Sequence, residues 1–290
     1  MSASLLRIWT IARNTLTEVL RQRVLNVIFL FGLILLGGST FFTQFSIKEQ
    51  DEIKFLLNLG YAAISLTGLL VALMGTAQLI PAEIERRTIY TVLSKAVRRF
   101  EFIAGKYFGL LALLTLMVLV MSGLFYLLLL VKEPSWIYEI SHGASTLTER
   151  QMREIQAVQQ QIHDPHLIQV LLLIWAKLAL VAVIALFFST LATSTIFIVA
   201  TTMLVYLVGH LQGTARDFWM ASKTFTGWRA DALGLLSTLV PDFGAFNIVD
   251  EILGGNKVPW EYVSQTLLYT GIYSLVLLGI SALIFEDREL

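Results

Sequence analysis

The chain has 290 residues, of which 56% are hydrophobic and 14% charged. Soluble domains are about 45–50% apolar and about 25% charged, so this composition is that of a lipid-embedded protein and excludes a soluble enzyme. Lys plus Arg total 21 against 21 Asp plus Glu, and cysteine is absent; no basic run is long enough for a nucleic-acid partner, and disulfides, thiolate metal sites and catalytic thiols are excluded.

Residues 1–23 open the chain with Leu5, Trp9, Ala12, Leu16 and Val19 at spacings of three and four, and with Arg7, Arg13, Glu18 and Arg21 elsewhere. This is the pattern of an amphipathic helix, and because an apolar run follows at once it is predicted to lie as an elbow in the membrane interface rather than on a soluble core. A cleaved signal peptide fits poorly, since no continuous apolar stretch precedes the amphipathic segment.

A membrane-crossing helix needs about 20 mostly apolar residues. Six such runs follow, at 24–45, 55–80, 107–131, 167–189, 194–211 and 262–285. The predicted fold class is therefore an all-α integral membrane protein, with six transmembrane helices, the elbow helix and short outer-face helices in one transmembrane domain over 1–290. The segments expected on the side of the termini are net positive by four, and those on the other side net negative by five. By the positive-inside rule both termini are cytoplasmic.

Ion-coupled carriers need ionisable groups at mid-membrane. Away from their ends, the runs contain only Lys177 and His210. Both are candidates for a conduit, although Lys177 can equally snorkel to the outer headgroups and His210 can serve as an interfacial imidazole. Gly60, Ser65, Gly68, Ala72 and Gly75 give the second run a small-residue face that serves either internal packing or a subunit contact. A phosphate-binding GxxxxGK[ST] loop is missing: Gly105-Lys106 is preceded by Phe100 where the first Gly belongs and followed by Tyr107 where Ser or Thr belongs. Any ATP-driven motor must then be a separate polypeptide.

The loop 81–106, PAEIERRTIYTVLSKAVRRFEFIAGK, is the surface on which such a motor could push. Ile84, Thr88, Val92 and Lys95 form one helical stripe, so an amphipathic helix is predicted to continue from the second run and turn near Ser94. The string ERRTIYTVLSKAVRRFEFIAGKYFG resembles the cytoplasmic loop of ATP-binding-cassette (ABC) transporter permeases of the type-2 exporter class, in particular the branch associated with multicopper-enzyme maturation and nitrous-oxide reductase assembly. Residues 12–36, 187–210, VPDFGAFNIVDEI at 240–252 and the ending LIFEDREL agree with it. Ala96 departs from the proline expected in such a loop. The resemblance implies a six-span permease in a bacterial inner membrane, paired with a second copy or a paralogue and resting on an ABC ATPase subunit. On that similarity ATP and magnesium belong to the partner, and this chain binds no cofactor and catalyses nothing itself. Glu83, Glu85, Arg86, Arg87, Thr88, Val92, Lys95, Arg98 and Arg99 become the residues that couple to the ATPase.

Two outer segments remain. In 132–166, Thr148 and Gln151 form a capping box, after which Met152, Ile155, Val158 and Ile162 make an apolar stripe. That stripe can dock a periplasmic protein, lie on lipid or cover the chain's own spans. His163 and His166, in HDPH, raise a metal reading, against the commoner role of capping a loop. In 212–261, the pieces 232–240 and 245–253 flank Pro241-Asp242-Phe243-Gly244 and are each too short to cross a membrane. They are expected to form a re-entrant or surface hairpin, which in similar permeases stands at the outer gate; Pro241, Asp242 and Phe243 are its candidate residues.

Overall fold

The computed structural model describes residues 3–42, 49–85, 97–141, 148–222 and 240–287. Among these the protein is all-helical, with no strand. The helices are α1 (Ala3–Leu20), α2 (Arg23–Phe42), α3 (Glu49–Ala77), α4 (Leu79–Glu85), α5 (Arg99–Ser141), α6 (Glu149–Ile162), α7 (Leu167–Leu191), α8 (Thr195–Ser222), α9 (Val249–Leu253) and α10 (Trp260–Asp287), with a 3₁₀ turn at Gly244–Phe246 before α9.

Five helical stretches are long and apolar enough to cross a membrane: Glu52–Glu85, Arg99–Ser141, Glu149–Leu191, Thr195–Gly213 and Trp260–Phe285. Ser4–Leu20 and Arg23–Ser39 reach that standard only together and bend by 68° where they meet, so the described residues supply five such helices, or six with the bent pair taken as one. Each predicted run thus falls on a helix. Helix ends are where the expectations and the structure part. The second run breaks at Gln78, because Pro81 has no N–H to donate and begins a new first turn in α4. The third extends through Pro134 to Ser141, giving α5 43 residues, or about 64 Å at 1.5 Å per residue, twice the hydrocarbon thickness of about 30 Å.

Helix α7 is the centre of the bundle, packed by α3, α5, α8 and α10. It is apolar on every side, as a helix enclosed by others must be. Ala176, Ala179, Ala182 and Ala185 recur every third residue and are all buried, which lets its neighbours approach closely. The small residues of α3 work the same way inside the chain: a Cβ on Gly60 would meet the Phe125 ring of α5, and one on Gly68 would meet Leu178 of α7. The packing reading of that face is therefore the one observed. By contrast, α8 and α10 expose apolar faces, with Leu204, Leu211, Leu268, Leu275 and Leu283 outward.

The apolar stripe of α6 is likewise internal. Val158 and Ile162 are buried with Trp136 and Ile140 of α5, while Met152 stays exposed. The Thr148 N–H donates to Gln151 Oε1 at 2.9 Å, and Gln151 Nε2 donates to the Ile140 carbonyl at 2.9 Å, so the capping residue also pins α6 to α5. Helices α5 and α6 together make a projection beyond the membrane-length part of α5.

Candidate functional site

One end of the bundle holds Ser4 of α1, Glu83 of α4, Glu101 of α5 and Phe285 of α10. Its organising contact is between α1 and α5. Gly105 and Gly109, four apart on α5, leave no room for a side chain: a Cβ on Gly105 would lie 2.7 Å from Ile11 Cβ, and one on Gly109 would lie 2.7 Å from the Ala12 carbonyl oxygen. Such a small-xxx-small pair brings two helix backbones together. It buries Ala12, Thr15 and Val19 of α1 against α5, whereas Leu5 and Trp9 of the predicted stripe are exposed.

That approach encloses Lys106, which is 1% exposed. Its Nζ lies 2.5 Å from Glu83 Oε1 and 3.4 Å from Glu18 Oε2, and 5.6 Å from the centre of the Phe102 ring. One ammonium thus joins α1, α4 and α5. These partners offset the burial of the ammonium, since an unpaired charge out of water costs roughly several kcal/mol.

A turn earlier, Glu101 is 3% exposed. It accepts from the Ser4 hydroxyl, from the Arg98 N–H at 3.1 Å and from Arg7 Nη1 at 3.5 Å. It lies before the apolar run 107–131. The Ser4 and Arg98 hydrogen bonds, with Arg7 adding its charge, hold its carboxyl below the usual range against the opposing effect of burial. Arg99 donates to the Phe285 carbonyl and stands over the Phe285 ring at 5.8 Å, and Phe102 stacks on the same ring at 5.9 Å. The start of α5 is therefore tied to α1, α4 and α10.

Of the predicted coupling residues, Glu83 turns inward to Lys106, Arg99 is fixed to α10, and Glu85 and Arg98 are exposed. Arg86, Arg87, Thr88, Val92 and Lys95 lie outside the described residues. Lys106, Glu18 and Glu101 were not among the sequence candidates. The Gly-x-x-x-Gly at 105–109, immediately around a lysine at the head of an apolar run, was the available signal.

At the opposite end, Pro241, Asp242, Phe243 and His210 come together on α8. Gly209 allows it: a Cβ there would lie 2.3 Å from the Pro241 carbonyl oxygen, and the Gly209 carbonyl accepts from the Phe243 N–H at 3.1 Å. Phe243 is 0% exposed and packs on Tyr206 at 5.0 Å between ring centres, and His210 stacks on the same tyrosine at 6.0 Å. Asp242 Oδ1 accepts from the Gly244 N–H at 2.9 Å, which starts the 3₁₀ turn. Asn58 of α3 donates to Asp250 Oδ1 at 3.0 Å, Tyr262 of α10 donates to the Ala245 carbonyl at 2.6 Å, and Gln169 of α7 donates to the Val258 carbonyl at 3.3 Å. The segment after Pro241 is thus a cap fastened to four helices. The piece 232–239 lies outside the described residues.

Lys177 does not join this cluster. It sits ten residues into α7, about 15 Å from its first residue, and is 8% exposed, so it is enclosed by protein rather than extended to the headgroups. His163 Nδ1 lies 3.1 Å from the Gln159 carbonyl oxygen, and Asp164 Oδ1 accepts from the His166 N–H at 2.9 Å. These two histidines, with Asp164, Asn256 and Lys257, line an open polar hollow of about 950 Å³ beside α6. Among the described residues no group of three or more His, Asp or Glu is placed to hold a metal ion.

Fold and site together define an α-helical membrane protein whose two ends are built differently: one ties helices through buried charge, the other through a packed aromatic cap. No protein-family model matches the chain, and no curated protein matches its sequence.

Proposed function

We propose that the chain is the membrane-spanning permease subunit of an ATP-driven ABC exporter, and that a separate ATPase subunit supplies the energy. The observation that supports this best is the Lys106 cluster. The segment 86–96 leaves α4 two residues after Glu83 and enters α5 seven residues before Lys106, so the ion pair closes the base of this loop. A push on the loop is delivered to α1, α4 and α5 as one body, and packed helices transmit such displacements by rigid shifts. Apart from Lys177 the apolar runs hold no ionisable group at mid-span, which disfavours ion coupling.

In this reading α1 is an elbow and the first of six spans is α2. Both termini are cytoplasmic, the membrane is a bacterial inner membrane, and two copies or this chain and a paralogue pair around the conduit. The loop, with Glu85 and Arg98 at its exposed base, enters a groove of the ATPase, and the cap at Pro241–Phe243 stands at the outer gate. Lys177 faces the transport route. Co-purification tests the proposal: an ATPase subunit accompanies the wild-type chain, and Arg86→Glu or Lys95→Glu abolishes its stimulation. Absence of any ATPase partner, or unchanged ATPase activity in both variants, rejects it.

The α5–α6 projection favours a second reading, a membrane scaffold that recruits a periplasmic protein without moving substrate. That reading predicts that function survives a hydrolysis-dead ATPase.

A further inference from the structure

We propose that the bend between α1 and α2 is a phospholipid-binding site, which holds one acyl chain in the cleft behind α2 and the phosphate on Arg21 and Arg23. A cleft of about 250 Å³ opens there, walled by Leu20, Leu25, Phe29, Val71, Leu113 and Met117. Asn26 is the single polar residue among those described along it. The 68° bend makes the space: α1 packs on α5 and α2 on α3, and the cleft lies where the two diverge after Leu20.

Three features select a phospholipid as the occupant. Firstly, the mouth is apolar. Leu116 and Val120 of its rim are exposed, as are Val24, Val27 and Leu30 on α2, so a chain enters sideways from the bilayer without crossing a polar barrier. Secondly, Asn26 is exposed on that lipid-facing surface, and its amide has no hydrogen-bond partner among the described residues. An unpaired amide in an apolar medium is costly, and a fatty-acyl ester carbonyl is the acceptor that a bilayer offers at this depth. Thirdly, Arg21 and Arg23 are exposed and have no ion-pair partner among the described residues, because Glu18, the nearest acid in sequence, is turned to Lys106.

The order of these groups along α2 matches that of a lipid. Arg23 lies one turn before Asn26, and Phe29 one turn after it. Each turn advances about 5 Å, so charge, amide and apolar cleft follow each other toward the membrane centre as phosphate, ester and chain do. Guanidinium groups pair with phosphate oxygens through charge-assisted hydrogen bonds, which an uncharged headgroup cannot make. The site does not depend on what the protein transports.

Native mass spectrometry of the full chain in lipid-free detergent, titrated with phosphatidylglycerol, tests the site. The wild type is expected to retain one lipid. The paired change Arg21→Gln with Arg23→Gln weakens it by about tenfold, the loss of one or two charge-assisted contacts, and Asn26→Leu weakens it several-fold. Val120→Trp, a change at an exposed rim position, blocks the chain and removes the adduct without touching the arginines. Arg150→Gln with Arg153→Gln, on α6, leaves binding unchanged, and glycerol 3-phosphate without a chain does not compete. Wild type without a retained lipid, or equal retention in the arginine or tryptophan variants, overturns the proposal. So does an equal loss in the α6 control or displacement by glycerol 3-phosphate. Thermal melts run beside each spectrum show whether a variant lost its fold rather than its lipid, and the other substitutions then decide.

Discussion

Lys106 Nζ lies 2.5 Å from Glu83 Oε1 across 23 residues of chain, and both side chains point into the bundle. Removing one partner of a buried ion pair leaves the other charge uncompensated, at a cost of about 3–5 kcal/mol. Lys106→Met is therefore expected to destabilise the protein by about 3 kcal/mol, because it strands both Glu83 and Glu18. The double variant Lys106→Met with Glu83→Gln is expected to lose less than the two single losses added together. Unfolding in detergent measures all three; strict additivity would show that the pair does not act as a unit.

Gly109, like Gly105, lies where α1 and α5 approach too closely for a side chain. A methyl group there meets the Ala12 carbonyl oxygen at 2.7 Å and Thr15 Cβ at 2.7 Å, and backbone cannot rotate aside as a side chain can. Gly109→Ala is expected to cost about 1–3 kcal/mol, the range for overpacking. It also opens Lys106 to water. Protection of the α1 amides in hydrogen exchange reads the separation directly, and unchanged protection would contradict the packing described.

Glu101 makes stability depend on pH at the acid end. Its folded carboxyl is held below the usual range by Ser4 and the Arg98 N–H, while in the unfolded chain it titrates near about 4.3. The stabilisation is thus fully present above about pH 4.3. It is lost as pH falls through the lower folded value. The difference in melting temperature between wild type and Glu101→Gln should therefore be constant above about pH 5 and shrink below about pH 4. A difference that grows on acidification would reverse the assignment.

Phe243 anchors the aromatic cap to α8 and is 0% exposed. Phe243→Ala is expected to cost about 3–5 kcal/mol by transfer and cavity terms. Gly209→Ala should loosen the same contact from the other side, since its methyl group meets the Pro241 carbonyl oxygen at 2.3 Å. Limited proteolysis within 240–260 measures both, and resistance equal to the wild type would show that the cap is held elsewhere.

Among the described residues, residue order was enough to place the membrane-length helices. About 20 apolar residues in a row have only one way to satisfy their backbone in lipid, so each run becomes a helix wherever its neighbours stand. It also determined the capping box at Thr148, which is closed by residues three apart. Helix ends escaped it: α5 passes Pro134 to Ser141, and α6 packs along that extension. The partners of each charge were decided by tertiary structure alone. Lys106, whose Gly-Lys fails the phosphate-loop pattern, has no role in the linear sequence until Gly105 and Gly109 bring α1 alongside and place Glu18 and Glu83 around it. Lys177 reads as a residue able to reach the headgroups until the bundle closes over α7. A charge's role depends on the distance and dielectric around it, and neither is written in the order of residues along one helix.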